Sequence, residues 1–156
     1  MVSLTAMWPW IPLYLLLLYL VIKQYGKRSV WVLLAVALVI LCSDQLSAHV
    51  CKPLFQRLRP CYHPDLEGMI HLPRGLAGGR YGFVSSHAAN TFAVATFLTA
   101  VLRKNYRRIG WWLYGWALIS SYTRIYIGFH YPGDIIAGAV LGVFIGWIGY
   151  FFTKNL

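Results

Sequence analysis

Eight residues in three short segments have the types and spacing that phosphoryl chemistry needs: Lys52, Arg59, Ser85, Ser86, His87, Arg124, His130 and Asp134. Lys52, Arg59 and Arg124 are cations suited to a phosphate dianion. An Arg fork matches phosphate oxygens, and a Lys acts as a point charge. Ser85 or Ser86 stands where it can cap the apolar stretch that follows, and the free amides of such a helix start attract anions. His87 falls in the first turn of that stretch, where the helix dipole disfavours a cation, so a phosphate nearby would compensate it. Asp134 follows His130 by four residues. A carboxylate on one imidazole nitrogen sets the tautomer and leaves the other nitrogen free to attack. Two histidines, three cations and a carboxylate complete a metal-free phosphoryl-transfer set, with one His as nucleophile and the other as acid.

A metal-dependent reading has less support. Asp44, Asp65, Glu67 and Asp134 are the only acids, too few for a two-metal site. His49, His63 and His71 have irregular spacing. No cofactor is expected.

The elements that carry these residues are apolar. Of 156 residues, 59% are hydrophobic and 12% charged; a soluble domain carries about 25% charged residues. The net charge is +10, but the basic residues sit in short clusters between apolar runs. That pattern suits membrane topology and an anionic ligand better than nucleic acid. Five apolar stretches, 1–22, 30–50, 85–102, 109–126 and 135–153, read as an all-α polytopic transmembrane bundle with a loop region at 51–84, although several are short against the roughly 20 residues a span needs. The first stretch lacks the basic start and small-residue cleavage site of a signal peptide. Gly138, Gly142 and Gly146 at four-residue spacing predict close helix packing in the last span.

The turns at 23–28 and 103–108 hold three and four basic residues and no acid, and Lys154 lies in the tail. By the positive-inside rule they share the cytoplasmic face. The other face receives 51–84 and 127–134, and with them every residue of the phosphate set. Ionisable residues beside lipid are functional candidates by default. Arg57, Arg74 and Arg80 read instead as headgroup contacts. Cys51 and Cys61 flank a polar stretch and could pair in an oxidising compartment, but two unpaired thiols is the plainer reading. The glycine-rich stretch at 75–80 reads as a lid.

These segments resemble the type 2 phosphatidic acid phosphatase superfamily. Its signature runs Lys, six residues, Arg-Pro; then Pro-Ser-Gly-His; then Ser-Arg, five residues, His, three residues, Asp. Lys52 to Arg59-Pro60, Val84-Ser85-Ser86-His87, and Thr123-Arg124 to His130 and Asp134 match that spacing. Val84, Ser86 and Thr123 depart from it. The resemblance implies that His130 is the nucleophile, Asp134 its orienting group and His87 the acid. Lys52, Arg59, Ser85 and Arg124 would hold the phosphate, with the Ser86 amide assisting. It implies a single membrane domain over 1–156, lacking the first of the six spans common in bacterial members. It also implies a substrate such as phosphatidic acid, phosphatidylglycerol phosphate, undecaprenyl diphosphate or lipid A, in the cytoplasmic membrane with the site facing the periplasm. A lipid-to-lipid phosphotransferase would use the same residues, and a non-catalytic lipid-phosphate binder would need only the cations.

Overall fold

A computed structural model describes residues 8–66, 69–70 and 79–154. Six α-helices carry the fold among them: α1 (Ile11–Tyr25), α2 (Ser29–Gln45), α3 (Lys52–Phe55), α4 (Ser86–Leu102), α5 (Ile109–Tyr126) and α6 (Pro132–Thr153). The described residues of all five expected apolar stretches are largely helical, with ends displaced by a few residues, and residues 1–7 of the first lie outside the described residues.

Gly26 breaks the first apolar run. Its φ of 54° and ψ of −125° lie where only glycine is at ease. Pro12 stands in the first turn of α1, where its missing N–H costs nothing. The helix of α2 does not stop at the expected Val50. Leu46–Cys51 continues it as a π-helix into α3, and Gln56, in the left-handed region at φ 46°, ends it. The loop therefore starts at Gln56 rather than at Cys51. A π segment inside a helix often marks a functional position, and here it directly precedes Lys52.

The helix α4 is central and rich in small residues. It is lined by buried Ala88, Ala89, Ala93, Ala95 and Phe97 and packs against α2, α5 and α6. The expected glycine seam is present. A Cβ on Gly138 would lie 2.6 Å from the Ser85 carbonyl oxygen, and those on Gly142 and Gly146 would collide with the carbonyls of Ala89 and Ala93. Backbone therefore meets backbone between residues 85–97 and 138–146. Thr96 and Tyr114 add a 3.0 Å hydroxyl contact between α4 and α5, satisfying polar groups that lipid could not.

The outer surface is apolar: Trp112 is 75% exposed, Val140 66% and Phe152 80%. So large an apolar surface marks a membrane or a partner rather than water. Residues 8–55 and 132–153 form helical stretches long and apolar enough to cross a bilayer, and Ser86–Leu102 is a shorter apolar helix. The basic turns converge at one end of the bundle. Gln24 and Tyr25 donate side-chain hydrogen bonds to the Val101 carbonyl at 2.9 and 3.1 Å, and Arg103, Lys104 and Lys154 line one cavity there.

Candidate active site

At the opposite end, every expected phosphate residue is present within one network. Ser85 is fully buried and caps α4, its Oγ accepting from the Ala88 N–H at 3.4 Å. Its own N–H donates to the Asp134 carbonyl at 3.1 Å. The start of α4 is thus tied to the start of α6, and the Gly138 contact holds the same two ends together.

Lys52, carried on α3, donates to Ser86 Oγ at 2.7 Å. Ser86 stands where the family signature has Gly, so this departure gives the lysine a resting partner. Arg59 is buried, and its Nε donates to the Tyr81 carbonyl at 3.2 Å. Residues 57–59 run antiparallel to 80–82, joined by hydrogen bonds from the Arg59 N–H to the Arg80 carbonyl and from the Gly82 N–H to the Arg57 carbonyl. Gly82 is small because a Cβ there would press on Arg59 and Asp134. Burial lowers the Arg59 pKa, though a guanidinium stays charged. Arg80 is therefore part of this bridge through its backbone, while Gly75 to Gly78 of the expected lid, with Arg74, His71 and Glu67, lie outside the described residues.

His87 sits between two groups from α5. Its Nδ1 lies 3.3 Å from Arg124 Nη2, and its Nε2 lies 2.7 Å from Ser120 Oγ. Arg124 can only donate, so Nδ1 accepts and the proton belongs on Nε2. Ser120 was not expected from sequence. The signal was its position one turn before Arg124 on the same face of α5. Thr123, another departure from the signature, donates to the Ser120 carbonyl at 2.7 Å and so supports the helix.

His130 follows the turn at Gly128, whose φ is 73°. Its N–H donates to the Arg124 carbonyl at 3.3 Å, which ties the two site residues through backbone. The imidazole Nδ1 lies 3.6 Å from Asp134 Oδ2. This is an electrostatic contact, longer than a hydrogen bond. Burial lowers the His130 pKa, and the Asp134 carboxylate offsets only part of that effect. His130 is therefore neutral at neutral pH.

Asp134 is fully buried at the third position of α6. Oδ2 accepts the Tyr131 N–H at 2.9 Å, and Oδ1 accepts from Arg57 Nη1 at 3.0 Å. The reading of Arg57 as a headgroup contact is corrected here. Its guanidinium is turned inward onto Asp134 and lies 4.5 Å from the Tyr131 ring centre, because a buried carboxylate needs a compensating charge.

From His87 and Arg124 an apolar cleft of about 540 Å³ runs along α1, α2, α4 and α5, lined by Tyr14, Leu18, Ile40, Val94 and Trp116. Cys42, Cys51 and Cys61 are free thiols.

Histidines and cations at one end of a membrane-type helix bundle, with spacing kept from Lys52 to Asp134, have the arrangement of the type 2 phosphatidic acid phosphatase kind. Residues 28–156 match the PAP2 superfamily, and the chain belongs to it. It is 40% identical over 150 residues to a lipid A 4'-phosphatase of Bacteroides thetaiotaomicron, covering 94% of this chain and 65% of that protein. It is 35% identical to a lipid A 4'-phosphatase of Porphyromonas gingivalis, covering 94% of this chain and 61% of the relative. The chain thus spans less than two thirds of the length of these relatives. The crystal structure of a transmembrane PAP2-type phosphatidylglycerolphosphate phosphatase from Bacillus subtilis superposes with a TM-score of 0.66 at 20% identity, over 99% of this chain and 73% of the other. The shared fold and the apolar helices make this a membrane-embedded protein.

Proposed function

We propose that the chain is a metal-independent lipid phosphate phosphatase acting through a phosphohistidine, with a lipid A phosphate monoester as its foremost substrate. The carrying observation is the pairing of His130 with Asp134 opposite the pairing of His87 with Arg124. The two lipid A 4'-phosphatases support the choice of substrate, since each aligns over 94% of this chain.

In this reading Asp134 faces Nδ1 of His130, so Nε2 attacks phosphorus. The N–P bond forms as the P–O ester bond breaks, and His87, which takes up a second proton on Nδ1 as the phosphate dianion draws Arg124 away, gives its Nε2 proton to the leaving oxygen and is left neutral. Lys52, Arg59 and Arg124, with the amides at the start of α4, hold the charge that builds on the phosphoryl oxygens. His87 then takes a proton from water, which attacks the phosphohistidine and releases phosphate. Release of the Nε2 proton from Ser120 to the substrate requires a modest turn of the His87 ring. The apolar cleft takes an acyl chain from the bilayer while the phosphate reaches the cations.

The topology that accompanies this reading has five spans in a single domain over 1–156, set in the cytoplasmic membrane. The basic end is cytoplasmic and the site faces the periplasm, as the charge bias supports. The test is phosphate release by detergent-purified protein from lipid A, undecaprenyl diphosphate and phosphatidic acid, with EDTA present. Release fastest from lipid A supports both parts. Release abolished by EDTA would overturn the metal-free chemistry. No release from any lipid by folded protein would overturn the hydrolase reading.

A further inference from the structure

The end of the bundle opposite the phosphate site carries a second concentration of charge that the proposed reaction does not use. The segments 23–28 and 103–108 together with Lys154 hold eight Lys and Arg and no acid. Helix ends cannot neutralise them. The C-termini of α1, α4 and α6 and the N-termini of α2 and α5 meet at this end, and their partial charges of about half a unit each nearly cancel. The charge surrounds a defined space. A cavity of about 420 Å³ is lined by Arg103, Lys104 and Lys154, by Gln24 and Asn105, and by apolar Val32, Ala100 and Val101.

Two side chains give the cavity a chemical character beyond charge. Gln24 is held by its Nε2, which donates to the Val101 carbonyl at 2.9 Å. Among the described residues its buried Oε1 has no hydrogen-bond donor, which is costly unless a donor arrives. Arg103 lies 5.9 Å from the centre of the Tyr150 ring, so its stem is laid along the cavity wall. Cations ask for a phosphate, the orphaned Gln24 oxygen asks for a hydroxyl, and the apolar wall at the membrane boundary asks for a lipid rather than a soluble ion.

We propose that this cavity binds the headgroup of an anionic phosphodiester lipid that carries a free hydroxyl, in the leaflet opposite the one that the phosphate site faces. The lipid stays intact, because no histidine or other nucleophile of the phosphate site reaches this end. Binding ties the 23–28 turn to the ends of α4 and α6, so it stabilises the bundle without taking part in turnover.

The test is native mass spectrometry of the detergent-purified chain titrated with dioleoyl phosphatidylglycerol or with dioleoyl phosphatidylmethanol, which has the same charge and no hydroxyl. Phosphatidylglycerol should bind several-fold more tightly; equal affinity overturns the hydroxyl part. The variant Arg103→Gln, Lys104→Gln, Lys154→Gln should lose about fivefold per cation removed, and unchanged affinity overturns the site. Should the triple variant fail to fold, Lys104→Gln alone, at an exposed side chain, should lose about fivefold, and no loss overturns the site equally. Glycerophosphoglycerol, the deacylated headgroup, should not displace the lipid at equal concentration. Displacement would overturn the lipid source in favour of a soluble one.

Discussion

Arg57 and Asp134 form an ion pair, Nη1 to Oδ1 at 3.0 Å, in which the carboxylate is completely buried and the guanidinium half-exposed. Among the described residues the Asp134 carboxylate accepts from two donors, Arg57 and the Tyr131 N–H. Removing Arg57 leaves a buried charge short of a partner and frees it to shift from His130. Arg57→Ala should lower kcat by up to about a hundredfold, the cost of a misplacement near 1 Å, with the protein still expressed. Arg57→Lys should recover part of the loss. Wild-type kcat in Arg57→Ala would show that the Tyr131 N–H alone suffices.

Asp134→Asn keeps the size of the side chain and removes its charge. The His130 ring then loses its electrostatic guide, and an effect approaching the roughly 10⁴-fold seen when a catalytic triad loses its carboxylate is expected in kcat. A thermal melt separates this loss from unfolding.

The pH dependence has a definite sign. A histidine nucleophile works only when neutral, and burial lowers the His130 pKa from its ordinary 6.5. Activity should therefore persist as pH falls through 6.5 and fade only below it. Asp134 raises this pKa and Arg59 lowers it. The acid limb of kcat/KM should move to lower pH in Asp134→Asn and to higher pH in Arg59→Gln. Comparing variants on one substrate removes the substrate's own titration from the difference, and kcat/KM reports the free enzyme.

His87 and Ser120 separate a chemical role from a supporting one. His87→Ala should cost about 10²–10⁴-fold, the usual worth of a general acid. Ser120→Ala removes only the resting partner of Nε2 and should cost much less. Equal losses would mean that Ser120 itself carries the proton.

The glycine seam couples packing to the site. Gly138→Ala and Gly146→Ala should each destabilise by about 1–3 kcal/mol through overpacking. A Cβ at 138 would press on the Ser85 carbonyl, while one at 146 would press on the Ala93 carbonyl. Gly138→Ala should therefore depress kcat further at equal loss of Tm.

Much of this was legible in the residue order. Apolar runs divided by basic turns dictate the helices and bring the turns to one end. The glycines at four-residue spacing announce the α4–α6 contact, and His130 with Asp134 is legible because Pro132 starts a helix whose first-turn carboxylate folds back onto the residues just before it. The rest depends on tertiary contacts that spacing does not encode. Arg57 and Arg59 lie two residues apart in one basic segment, and only the pairing of 57–59 with 80–82 decides that one reaches Asp134 and the other Tyr81. Ser86 looks like a loop substitution until Lys52 arrives from α3. The α2–α3 helix outruns its apolar pattern because the π segment carries Lys52 onward without a break.

The most direct test of the central claim is a rapid-quench reaction with lipid A labelled with ³²P at its phosphate. Label should appear on the wild-type chain as an acid-labile phosphohistidine, map to His130 and be absent from His130→Ala, which should also release no phosphate. Turnover at the wild-type rate in His130→Ala, or label at another residue, would contradict it.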